Sequence, residues 1–555
     1  MVLGRILFIT LIAFQASHLM AQPLAGTLTV GGVSPDYQSL TDAVADLNVK
    51  GADPGGVTFS IREGDYAESL LITAKGSGSG KIRFVSEQSD ADKVKISFAG
   101  ASDVIRLRGA TFIELEHLKI SYTGTGSNSA IELSDNTDDL TVKNCIIEGA
   151  KVNSTAFAAA AIFADENLTE NDCERISLLE NIIRFGSYGI ALSMSAGKPA
   201  GLKISNNRID DFYGSGIYLS SYGNLQITNN RVSTVQSGNS SCKGIQLDDC
   251  DGAHQLTGNY VFTRENGRLG YGLYFEGSSS VAGQEILVAN NSVQVSNTSS
   301  ISYGIYQSNN SNWYLYHSNT VYVSGGTSVS SNCYNTFNAA DDTWLINNIF
   351  MNASTATGNS AGLVINIANQ SGLAGAGNNC YFSSGAGTPF RARFGTTYNL
   401  FTEFTAASGE QNGLNIDPQM QFIDGVGWKA SNPLLAGAGA DTSLFLSDIE
   451  GNLRVRPTTI GAHEFQLITG HKQPAESSLQ LFYAQQQLVL RSDIKVSFIM
   501  ITDLSGRLIH KALIAAEGNE LRIPFIPPAQ GIYLVSVFFG NQSRSFKIPV
   551  VTPAN

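Results

Sequence analysis

The chain is poor in charge, proline, tryptophan and cysteine. Of its 555 residues only 15% are charged, 14 are proline, 3 are tryptophan and 6 are cysteine. Low charge together with 43% hydrophobic residues excludes a disordered chain, which combines low hydrophobicity with high net charge. So little proline excludes a collagen-like or proline-rich stalk, despite 56 glycines. Six cysteines are too sparse for a disulfide scaffold. No Cys-x-x-Cys or His-rich spacing marks a zinc site, so one or two bridges, or none, are expected. An excess of positive charge is also missing, since 35 Lys and Arg face 47 Asp and Glu for a net charge of −12. Nucleic-acid binding, which needs clustered cations against phosphate, is therefore not expected. Neither is a membrane span, for beyond the first twenty residues no apolar run approaches the roughly 18 that a bilayer requires. Phosphate-loop, Rossmann and Gly-x-Ser-x-Gly signatures do not occur.

The first residues read as a targeting segment. Arg5, the apolar run from Ile6 to Phe14, and the small residue before the Ala21–Gln22 junction describe a secretory signal over residues 1–21. An exported protein, secreted or held at the outer-membrane surface, is the expectation.

What the chain has in excess is asparagine, with 33 in the 252 residues from Asn128 to Asn379. The excess is ordered: Asn144, Asn181, Asn206-Asn207, Asn229-Asn230, Asn259, Asn290-Asn291, Asn319, Asn347-Asn348 and Asn378-Asn379 each precede a pair containing β-branched or aromatic residues. A period in the range of 20 to 50 residues means stacked units. A second series interleaves with the first, Tyr188-Gly-Ile, Ser215-Gly-Ile, Lys243-Gly-Ile, Tyr271-Gly-Leu, Tyr303-Gly-Ile and Ala361-Gly-Leu. Each unit reads as three short strands by its period-2 alternation, and no helical pattern separates them. Asparagines at one corner would bond to the coils above and below, as in a stacked amide ladder. His117 falls at this corner in an early coil.

On these residues the chain resembles the right-handed parallel β-helix proteins, the pectate-lyase-like superfamily, over roughly residues 57–425. The expected fold is all-β: a right-handed parallel β-helix solenoid with an N-terminal helical cap, followed by a small C-terminal β-sandwich. The cap is read at Ser39 to Leu47, with Ser39 or Thr41 as N-cap and Leu40, Val44 and Leu47 over the first coil. Gly64-Asp-Tyr66-Ala-Glu68 looks like an opening coil, and Asp448 to Phe465 resembles a closing segment. The pectinesterase strands Asp-Phe-Ile-Phe-Gly and Leu-Gly-Arg-Pro-Trp are absent, so pectin demethylation is not expected.

Beyond the solenoid (22–466) and a polar linker (467–478), residues 479–555 carry a net charge of +3 and lack the asparagine period. Asp503-Leu-Ser-Gly506-Arg507, Gly531-Ile-Tyr533-Leu-Val and Lys547-Ile-Pro-Val550 resemble the type IX secretion C-terminal sorting domain, which implies that secretion machinery as a partner. A carbohydrate-binding or immunoglobulin-like module is the alternative.

Alternation in Gly-Ile-x-Leu-x turns each x outward, which lines up Tyr218, Gln246, Tyr274 and Tyr306 beside Asp248 and Glu276, with Phe163 and Asp165 on an earlier coil. Tyrosine joins a flat apolar face to a polar tip, as a sugar ring requires, so Tyr218, Gln246, Tyr274 and Tyr306 are the candidate polysaccharide-binding residues. Asp248 and Glu276 on adjacent coils suit an acid and base pair for glycoside cleavage. Lys243, Arg264 and Arg268 are candidate catalytic bases for a lyase. Asp248, Asp249, Asp251 and Glu276 could supply hard oxygen ligands to calcium, or Asp249 and Asp251 could simply form a turn that pairs with the cations. A monomer that binds polysaccharide is expected. A lyase, a glycoside hydrolase and a non-catalytic surface adhesin or structural β-helix protein all remain open.

Overall fold

The computed structural model describes residues 22–465 and 479–550, apart from 165–171, 196, 238–240, 267–268, 298–300, 326–330, 339, 356–361, 386–388, 424–426 and 442–443 in the first span and 485, 492–495, 497, 504–506, 514–519, 530 and 540–541 in the second. The expected signal 1–21, the linker 467–478, Asp165, Arg268 and the Leu-Ser-Gly of the 503–507 motif lie outside the described residues. The chain divides into two compact units at the Glu464–Phe465 junction.

The first unit is a parallel β-helix. Each coil gives one strand to each of three long sheets of 13, 12 and 13 strands. One coil illustrates the order: Gln226–Thr228 in the first sheet, the asparagine corner, Arg231–Ser237 in the second sheet, then Ser241–Asp248 in the third. At about 4.8 Å per coil the rod is on the order of 60 Å long. Its core is one continuous cluster of inward Ile, Val and Leu, with Phe59, Phe84, Phe275, Tyr314, Tyr316 and Tyr334 stacked inside.

The corner uses its paired asparagines for two different purposes. The second of each pair points inward: Asn181, Asn207, Asn230, Asn259, Asn291, Asn319, Asn348 and Asn379 are all at most 1% exposed. Each Oδ1 accepts the backbone N–H of the ladder residue one coil earlier at 2.9–3.0 Å. Each Nδ2 donates to a carbonyl of the preceding coil at 2.7–2.9 Å. The first of each pair instead turns the chain in the left-handed region, with φ of +58° at Asn206, +56° at Asn229, +52° at Asn290, +58° at Asn347 and +55° at Asn378. Asparagine tolerates that conformation better than other non-glycine residues. Asn144 (φ +54°) and His117 (φ +53°) belong to this turning column. Asn144 is therefore not the first rung of the amide ladder as its spacing suggested; the rung position is Cys145, whose N–H bonds to Asn181.

Glycine in Gly-Ile-x-Leu has a packing reason. At Gly216, Gly244, Gly272 and Gly304 an added Cβ would lie 2.2–2.3 Å from a Val Cγ1 of the second sheet, namely Val232, Val261, Val293 or Val321. Only glycine lets the two sheets approach this closely.

Both ends are closed. The helix Leu40–Lys50 is capped by Ser39, whose side chain accepts from the Asp42 N–H, and it buries Leu40, Ala43, Val44 and Leu47. The Glu68 carboxylate accepts from the Thr41 N–H at 2.6 Å, stabilised by the positive end of the helix. At the far end the helix Phe401–Ser408 buries Phe404 against Tyr381 and Phe390. There Glu410 ends the amide ladder, accepting from Asn379 N and Nδ2 and from the Tyr381 hydroxyl. Burial pushes its carboxyl up to about 7. The described residues of 438–441 and 444–462 then run back along the corner as a strap. Turning-column amides hold it: Asn378 donates to Ala438 O, Asn347 to Ala440 O and Asn290 to Ser447 O. Arg454 donates to Asn290 Oδ1 and pairs with Glu464, both side chains only 3% exposed.

All six cysteines are buried as thiols and form no disulfide among the described residues. Burial pushes the Cys145, Cys173, Cys250 and Cys380 thiols up to about 12, which leaves them unreactive.

The second unit holds two antiparallel sheets. One orders Gln480–Ala484, Gln487–Arg491 and Glu520–Pro524, the other Leu508–Leu513, Phe498–Thr502, Gly531–Phe539 and Gln542–Val550. They share a core of Leu488, Leu490, Ile499, Ile501, Val535 and Val537.

Candidate functional site

The strand register aligns three columns on the outward face of the third sheet. Tyr188, Ser215, Lys243, Tyr271 and Tyr303 form one; Ala191, Tyr218, Gln246, Tyr274 and Tyr306 form the next; Ser193, Ser220, Asp248, Glu276 and Ser308 form the last. Strict alternation foresaw the last two columns but missed Tyr271 and Tyr303 as face residues. Gly272 packs against Val293, and Leu273 beside it is also buried. The two-residue inward step returns Tyr271 to the side of Tyr274. The repeated Tyr-Gly-Leu and Tyr-Gly-Ile triplets are the signal that could have revealed it.

Along the rod these columns make two aromatic clusters with a polar notch between them. In the first cluster Tyr188 stacks on Phe157 with centroids 4.9 Å apart, and Tyr218 lies 4.9 Å from the same ring. The turn Phe157–Ala159 therefore packs over the sheet here, and Tyr218 is partly covered. The second cluster is a group of four: Tyr274 and Tyr306 stack at 5.2 Å with 5° between planes, Tyr271 and Tyr303 stack at 5.4 Å, and Tyr271 meets Tyr274 edge to face. Rigid parallel strands fix these spacings, so the rings are held in advance of any ligand.

Lys243, Gln246 and Asp248 occupy the notch. The Lys243 ammonium rests 4.7 Å over the Tyr274 ring, a cation–π contact. Gln246 accepts from Ser215 at 3.1 Å and donates to Asp248 Oδ2 at 2.8 Å. Asp248 Oδ1 is buried with no hydrogen-bond partner among the described residues. Burial raises the Asp248 carboxyl to about 6, against the opposing pull of Lys243 and Gln246. Burial also lowers the Lys243 ammonium, opposed by Asp248 and Glu276. Both groups thus move toward their neutral forms, because desolvation outweighs their mutual attraction. Glu276, opposite Asp248 in the register, accepts from the Tyr274 hydroxyl at 2.7 Å and from Asn309 Nδ2 at 2.6 Å. A carboxyl titrating near 6 beside a second carboxylate can give and take protons near neutral pH.

The other candidates lie elsewhere. Asp249 is a corner residue (φ +50°) whose Oδ1 sits over Gly277 of the next coil. Asp251 is ion-paired with Lys198. The four carboxylates expected to share calcium are therefore not gathered, and among the described residues no three His, Cys, Asp or Glu come together as a metal site. The corner separates them: Asp248 is the last outward position of its strand, and the chain turns away directly after it. Arg264 lies on the second sheet, in the strand Tyr260–Asn266, away from the notch. His254 is fully buried, its Nδ1 accepting from the Leu225 N–H, and burial lowers it to about 4.

Residues 103–293 match a family model described as right handed beta helix region. No curated protein matches the chain. Among solved structures, the chain is similar to pectate lyase Pel9A (13% identity, TM-score 0.38), covering 80% of this chain and 98% of that one. It is also similar to the Dettilon tailspike protein gp208 (14%, TM-score 0.37), covering 63% of this chain and 66% of that one, just under two thirds. A third similar structure is PfbA, a surface adhesin of Streptococcus pneumoniae (10%, TM-score 0.28), covering 60% and 89%. These likenesses are likenesses of fold.

Proposed function

We propose that the protein binds an extended polysaccharide along the outward face of its third sheet. The observation that carries this reading is the four-tyrosine cluster adjoining a notch of Lys243, Gln246 and Asp248, all in register on one rigid sheet. The tyrosine cluster offers apolar ring surface to sugar rings, and the notch offers donors and acceptors to their hydroxyls. One observation favours a second step, cleavage: the Asp248 carboxyl is raised to about 6 with Glu276 beside it, as an acid and base pair for glycoside hydrolysis needs. Export fits an extracellular glycan. The 1–21 leader and the sorting-domain resemblance of the C-terminal unit support a type IX route to the cell surface.

The test is a glycan panel offered to the full-length protein. A binding glycan is expected to lose about tenfold or more in affinity on Tyr274→Ala with Tyr306→Ala. New reducing ends are expected to appear and to vanish with Asp248→Asn while binding persists. Binding without new reducing ends leaves a non-catalytic adhesin, and a panel with no binder defeats the proposal.

A further inference from the structure

The second sheet carries a separate groove of about 500 Å³, within the size range of small-ligand sites. Its floor is the outward side of the strands that follow the asparagine corner, and its wall is the hairpin strand Gly427–Lys429. Trp428 is braced from behind, its ring 4.7 Å from Tyr322. The Arg231 guanidinium lies 5.9 Å over the Tyr260 ring on the adjacent strand. Arg264 is on the same face as Tyr260 four residues on, so the two arginines mark opposite ends of the groove, roughly 13 Å apart by strand rise. Arg264 is exposed and makes no ion pair among the described residues. Of the acids acting on Tyr260, Glu450 pairs with Lys429 and Asp448 accepts from the Glu464 N–H, while Asp210 accepts from Ser233 of the groove lining. Gln294, opposite Phe262 on the next strand and only 9% exposed, also lines the groove.

The Gln294 amide can both donate to and accept from a ligand hydroxyl. Guanidinium groups bind carboxylates and sulfates through paired hydrogen bonds, and Trp and Tyr faces accept the apolar side of a pyranose ring. We propose that this groove is a second saccharide site, specific for an anionic oligosaccharide, with its acid groups on Arg231 and Arg264, a ring on Trp428 and a hydroxyl on Gln294. Such a site places a local positive pair on a rod whose overall charge is negative, and it gives the protein two glycan-binding faces on different sheets. It stands independently of the third-sheet reading.

The test titrates full-length protein with a uronate trisaccharide, a sulfated disaccharide and the uncharged counterpart of each, following tryptophan fluorescence and heat. At least one anionic probe is expected to bind about tenfold or more tighter than its neutral counterpart and to weaken with added salt. Arg264→Gln is expected to lower that affinity about tenfold, and Arg231→Gln with Arg264→Gln to abolish it, with thermal melting unchanged to show that the variants fold. Trp428→Phe should remove the fluorescence change. Tyr274→Ala, on the third sheet, should leave the binding intact. The proposal is overturned if neither anion binds, if neutral and anionic probes bind alike, if the double arginine variant binds normally, or if Tyr274→Ala removes the binding. Preference between the uronate and the sulfate identifies the acid group.

Discussion

Asp248 shows how one residue can face outward and still be desolvated. Its strand position was legible, because alternation sets which side chains leave the core. Its burial was not, since desolvation of an outward carboxyl depends on how the coils on either side pack against its strand. The consequence is a pH dependence. Unfolded, the carboxyl titrates near its ordinary 3.8, and folded near 6, so the folded state holds the proton more tightly between those values. The stability this provides is fully present below about pH 4 and is lost as pH rises through about 6, on the order of 2–3 kcal/mol. Asp248→Asn, which keeps an acceptor for Gln246, is expected to match the parent near pH 4 and to melt higher near pH 7.5. Parallel melting curves for the two proteins across that range would refute the buried-carboxylate account.

At the scale of the element, the corner assigns different physics to adjacent asparagines. Asn229 turns the chain, and in the next coil Gly258 takes the same place at φ +71°. Asn230 is a rung: its amide donates to Ile204 O and accepts the Asn207 N–H. Asn229→Gly is therefore expected to change stability by a few tenths of a kcal/mol at most, since glycine adopts left-handed φ without strain. Asn230→Gly leaves the Asn207 N–H and the Ile204 carbonyl of the preceding coil without their partner and should cost on the order of 2–3 kcal/mol. Denaturant melts of the two variants check this, and equal losses would show that the pair shares one role. The repeat itself was readable, because a dry corner demands the same amide in every coil. Which asparagine of each pair did which job was not, because both carry the same side chain and only the backbone turn distinguishes them. That is why Asn144 reads as a rung and is a turn.

For the molecule as a whole, the solenoid leaves its corner and its ends to be covered. The end helices and the returning strap do this, and the strap is held by the Arg454–Glu464 pair. Taking one member from a buried pair leaves an uncompensated charge and costs about 3–5 kcal/mol. Arg454→Ala is expected to lower stability by that amount and to open the segment 438–462 to limited proteolysis before the coils themselves are cut. Simultaneous loss of strap and coils would mean that the strap is not a separable closure. Glu410 closes the ladder at the other end, where a carboxylate meets the donors that a further asparagine would have met.

The sequence by itself determined the repeat, the three-strand coil, the N-terminal cap and two of the three outward columns of the third sheet. All of these follow from local periodicity and from side-chain types that only one backbone arrangement satisfies. The tertiary structure alone decided which outward residues are covered, that Asp249 and Asp251 turn away from Asp248, that Arg264 belongs to the second sheet, and that Trp428 returns from beyond the coils to wall a groove there. Those outcomes depend on contacts between residues distant in sequence, which no period in the chain encodes.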